Sequence, residues 1–131
     1  MIRCVRIWTG DDHNSHAEEG FIDLEPGARG DFLSGKLGAS HASFQETRSG
    51  GTFEWHTAPV RQLVITLSGK LDFQTRGGQH FILEPGIVLL AEDTVGGGHS
   101  WRLVDDNPWR RVYVVLAHGA NVPFKAAKAK S

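Results

Sequence analysis

Turn-forming residues interrupt this chain too often for helices to form. Sixteen glycines and five prolines separate short runs rich in Val, Ile, Leu, Phe and Trp. No stretch with an apolar face at helical spacing persists beyond a turn or two. Many short strands joined by regular turns is the reading that survives. Strands are expected near 2–8, 20–24, 37–47, 52–56, 61–67, 70–75, 79–83, 87–91, 99–105 and 109–117. The clearest is 61–67, where Leu63, Ile65 and Leu67 share one face and Gln62, Val64 and Thr66 the other. Ser68-Gly69-Lys70 then links two strand patterns as a tight hairpin, because glycine takes the positive φ such turns need. Glu84-Pro85-Gly86 makes another turn, with proline presetting φ. Residues 10–19 read as a polar loop, and the alanine- and lysine-rich 124–130 as a short helix or a frayed end. The expected fold class is all-β, a sandwich, jelly roll or barrel. One domain is expected, with 1–118 as a single barrel and 119–131 as a frayed or disordered tail.

The bulk properties narrow the partners. A chain of 131 residues buries a core without disulfide or metal staples. A net charge of −1 gives no electrostatic case for nucleic acid or an anionic membrane. Cys4 is the only cysteine, so no internal disulfide forms, which fits a reducing compartment. The start, MIRCVRIWTGDD, lacks a signal-peptide apolar segment, and no apolar run approaches the roughly 18 residues of a membrane helix. A soluble cytoplasmic domain that takes a small molecule is the expectation.

Chemistry-bearing residues concentrate in GTFEWHTAPVRQLVITLSGKLDF, residues 51–73, and in IVLLAEDTVGGGH, which ends at His99. One histidine stands before a strand pair and one after the next pair. Gly50 precedes His56 by a short spacer, Ala58 and Gln62 follow, and Gly69 closes the segment. Gly86 opens the second segment, and Glu92 and Asp93 lie in it. In this spacing the chain resembles the cupin superfamily over about residues 40–117. It is similar to a group of small bacterial single-domain cupins carrying WHxAPxRQ and LLAEDTxGxGH segments.

The resemblance implies a double-stranded β-helix, the cupin jelly-roll barrel. It further implies a homodimer, and 2–8, read as an unpaired edge strand, is the expected contact. It also implies a divalent metal ion held by His56, Gln62 and His99. Here Ala58 replaces one expected imidazole and Gln62 the expected carboxylate, which leaves two imidazoles and an amide. Glu54, Glu92, Asp93 or a substrate carboxylate would have to supply negative charge. Glu54 shares the strand parity of His56. With a metal, an oxygenase or isomerase role is expected. Without one, His56 and His99 would be catalytic as general acid and base of an isomerase, epimerase or cyclase. A non-catalytic binding or sensor module is the third reading. Val64, Phe73 and Trp101 are expected beside Gln62 in the ligand pocket, with Trp101 alternatively a core residue. His41 and His16 are reserve site candidates; His13, His80 and His118 are expected at the surface or in structural roles. The P-loop-like Gly30–Lys36 lacks the required Ser or Thr, with Leu37 in its place.

Overall fold

The computed structural model describes residues 1–127. In chain order the strands are β1 (Ile2–Thr9), β2 (Ser15–Ile22), β3 (Glu25–Pro26), β4 (Phe32–Leu33), β5 (Ala39–Thr47), β6 (Thr52–His56) and β7 (Gln62–Ser68). There follow β8 (Leu71–Thr75), β9 (His80–Leu83), β10 (Ile87–Glu92), β11 (His99–Leu103), β12 (Trp109–Leu116) and β13 (Phe124–Ala126). The fold is all-β, and the one helical element among the described residues is a 3-10 turn at Ala28–Gly30. No helix there is long and apolar enough to cross a membrane.

Two sheets enclose the interior. The larger runs β13-β2-β1-β10-β7-β12-β5, the smaller β6-β11-β8-β9, and β3 and β4 form a minimal pair of their own. The alternation read in 61–67 sets the inside and outside of β7. Gln62, Val64 and Thr66 are buried toward the small sheet, whereas Leu67 is exposed. Gly69 takes φ 96° in the hairpin to β8, the conformation expected of it. The main core lies between the sheets, where Val5, Ile7, Leu71, Phe73 and Leu83 are at most 2% exposed. A second cluster, including Cys4, Leu63, Leu90, Leu116 and Val122, packs on the outer face of the large sheet.

Three expectations are corrected. β1 is no edge: it pairs in parallel with β10 and antiparallel with β2, so edge exposure gives no ground for self-association through 2–8. The edges of the large sheet are β5 and β13. Residues 15–19 are strand rather than polar loop, because β2 pairs along β1 from Ile2↔Ile22 to Thr9↔Ser15. The need to satisfy the β1 backbone outweighs the polar composition there. In the tail, Phe124–Ala126 pairs with β2 instead of fraying or forming a helix, and Val122 is buried beneath it. The rest of the tail expectation, residues 128–131, lies outside the described residues.

Candidate functional site

The two histidines meet because β6 and β11 are neighbours. His99 pairs with His56 and, two residues on, Trp101 pairs with Phe53. β6 spends three residues where β11 spends two, so the pairing contains a β-bulge. The bulge puts Phe53 and His56 on the same cavity wall despite their odd separation. It also turns Glu54 out to solvent, so the parity argument that placed Glu54 beside His56 fails. The imidazole centroids of His56 and His99 are 4.5 Å apart with the rings at 62°. Phe53 covers His56 at 3.8 Å between centroids.

Both rings have a fixed tautomer. His56 Nδ1 lies 2.7 Å from the Glu54 carbonyl oxygen, which can only accept, so Nδ1 carries a proton. His99 Nδ1 lies 2.5 Å from Asp93 Oδ2, and the hydroxyl of Ser15 donates to the same oxygen at 2.6 Å. Here too Nδ1 is the donor. Nε2 is therefore the nitrogen each neutral ring offers to the cavity. Asp93 is fully buried, and its Oδ1 has no hydrogen-bond partner among the described residues. Such orphaned groups concentrate where function holds a structure off its energetic optimum. Desolvation lowers the His56 pKa below the ordinary 6.5, assisted by neighbouring His99 and opposed by the Glu54 hydrogen bond and by Asp93.

Gly98 makes the approach possible. It sits at φ 75°, and a Cβ there would lie 2.2 Å from the His56 carbonyl oxygen. The glycine-rich run before His99 is thus a close-packed crossing.

The histidines open on a cavity of about 560 Å³ between the small sheet and β5, β12, β7 and β10. Gln62, Val64, Phe73 and Trp101 all line it, as does the reserve candidate His41. His16 does not; it bonds Asp12 at 2.9 Å and stacks on Trp8. His80 bonds Asp72 at 2.9 Å. Glu92 is clamped by Arg6 and Arg61 at 2.6 and 2.5 Å and is not in the cavity lining. Burial alone would raise its pKa, but the two arginines outweigh that and hold it below 4.5. Cys4 is inert, its thiol pushed up to about 12 chiefly by burial.

The sequence reading passed over Arg111 and Tyr113, which share the cavity wall on β12. Arg111 is only 2% exposed. Strand parity groups Trp109, Arg111, Tyr113 and Val115 on one face but does not say that this face turns inward.

These donors do not fit a resident dication. Gln62 offers a neutral amide, and no Asp or Glu lines the cavity. Asp93 is engaged behind His99, and a guanidinium stands in the same wall. Among the described residues no group of three or more His, Cys, Asp or Glu side chains is placed to hold a metal ion. Two imidazoles and an amide bring no negative charge to neutralise a dication. No step is therefore routed through a metal.

No family model matches the chain, and no curated protein matches it.

Proposed function

We propose that this protein is a cupin-like barrel in which His56 and His99 move a proton on a small bound organic molecule, as in an isomerase or epimerase. The observation that carries the reading is the Asp93–His99–His56 arrangement: two adjacent imidazoles, both with Nδ1 tied off, on the wall of one cavity. The two packed sheets and the meeting of the two motif histidines support the cupin resemblance.

In the proposed step His99 Nε2 accepts a proton as a C–H bond next to a carbonyl breaks, and the electron pair passes into the enolate. Asp93 fixes the ring and stabilises the imidazolium that forms. The proton then returns to another ligand atom, directly or after transfer to His56. Nothing is oxidised or reduced, and no co-reactant is consumed. Gln62 supplies an amide to orient the ligand, and the aromatic walls exclude water.

Deuterium wash-in tests this. A panel of small enolisable ketones and aldehydes is incubated with the protein in D2O and followed by proton NMR. At least one should exchange faster than in buffer, and His99→Ala should abolish the gain. No enhanced exchange across the panel contradicts proton transfer and leaves a binding module as the reading.

A further inference from the structure

We infer that the cavity is built for a small organic monoanion, a carboxylate on an apolar body, with Arg111 as the residue that holds its charge. The inference deepens the reading of the same cavity, but it stands apart from whether the histidines move protons.

Arg111 is 2% exposed, and a guanidinium carries its charge into a buried site. Every partner it has among the described residues is neutral. Nη1 donates to Thr47 Oγ1 at 2.7 Å and to the Trp109 carbonyl at 3.0 Å. Nε donates to the Tyr113 hydroxyl at 3.2 Å, and the guanidinium carbon lies 3.7 Å over the Trp109 ring. Eight ion pairs occur among the described residues, and none includes Arg111. Glu46 pairs instead with the neighbouring Arg110 at 2.6 Å. A buried cation without a counter-ion among the described residues, in a cavity whose described wall carries no acid, is stabilised by an anion brought from outside. Tyr113 accepts from Nε, and its own O–H remains to donate to that anion.

The register gives the ligand a direction. Arg111 pairs with Thr66 and Gln45, and Val115 pairs with Gln62. Four strand positions separate these rungs, about 13 Å of backbone. His99 belongs to the Gln62 end, since Ala91 pairs with Gln62 and Asp93, two residues later, holds His99. Between the two ends stand Phe73, 5.7 Å from His99 and 6.1 Å from Trp109 between centroids, and Trp101, 4.7 Å from Trp109. The shape selects an elongated molecule: an anionic end at Arg111 and Tyr113, an apolar middle, and a reacting end under the histidines. One guanidinium matches a single negative charge, which favours a carboxylate over a phosphate dianion.

The test titrates 3-phenylpropionate and 4-phenylbutyrate against their primary amides, with inorganic phosphate as a competitor, reading tryptophan fluorescence and thermal shift. Wild-type protein should bind at least one acid about ten-fold or more tightly than its amide, and phosphate at equal concentration should not displace it. Arg111→Met should erase the preference, Arg111→Lys should restore part of it, and Tyr113→Phe should weaken it. A His56→Ala/His99→Ala double variant should keep the preference although any proton exchange is lost, which separates this inference from the catalytic reading. Equal affinity for acid and amide in the wild-type protein overturns it however the variants fold. So do failure of both acids to bind, a preference that survives Arg111→Met, and tighter binding of phosphate than of carboxylate.

Discussion

The same two sheets are solid at one end and hollow at the other. Where β8 and β9 lie against β1, Leu71, Leu83 and Ile7 are fully buried and well packed. Where β6 and β11 face β5 and β12, the sheets stand apart around a cavity of about 560 Å³. The packed end is built mainly of apolar side chains, although Thr75 on β8 is also fully buried. The hollow end carries groups a stable core avoids: a guanidinium with no ion pair among the described residues and two half-used imidazoles, with the Asp93 carboxyl behind His99. A fold that places its unmet polar groups together, around open space, has reserved that space for something they bind.

Mutations at the two ends should therefore separate stability from function. Leu71→Ala at the packed end should cost about 2–5 kcal/mol by denaturant unfolding, with ligand affinity per folded molecule preserved. Asp93→Asn at the hollow end should lower proton exchange about a hundred-fold or more and reshape its pH profile, with a small change in unfolding free energy. An unchanged pH profile would reduce Asp93 to packing. Gly98→Ala couples the two properties, since it forces the His56 and His99 strands apart. It should cost about 1–3 kcal/mol and reduce exchange together with stability. Arg111→Met should cost less than about 1 kcal/mol, because it removes an uncompensated buried charge; a loss equal to that of Leu71→Ala would make Arg111 a structural residue.

The smallest effect is titration. His56 takes up a proton less readily folded than unfolded. Between its lowered folded pKa and 6.5 the unfolded chain binds more protons, so stability is full above pH 6.5 and declines as pH falls through that window. Glu92 adds a second decline below its ordinary 4.5, as acid breaks its pairing with Arg6 and Arg61. In His56→Gln the first decline should shrink and the second remain, as read from urea midpoints across the pH range.

The strands were legible where alternation is strong, as in 61–67, and where glycine or proline marks the turn. Non-local pairing was not: nothing in SHAEEG announces that β1 needs a partner along its whole length. His56, Gln62 and His99 could be grouped through the motif spacing of the cupin resemblance, and Val64, Phe73 and Trp101 through strand parity around them. Glu54 was misplaced because a bulge breaks parity without a local marker. Arg111 was overlooked because both faces of WRRVYVVL carry an arginine, and only the pairing with β7 tells which one turns inward.

The most direct test is the tautomer of the two imidazoles, read by long-range proton–nitrogen NMR at neutral pH. The account predicts that each ring, in its neutral form, is protonated at Nδ1 and bare at Nε2, with the His99 Nδ1 proton protected from exchange by its hydrogen bond to Asp93. A proton residing on Nε2 of either neutral ring, with Nδ1 bare, would contradict the arrangement on which the proposed chemistry stands.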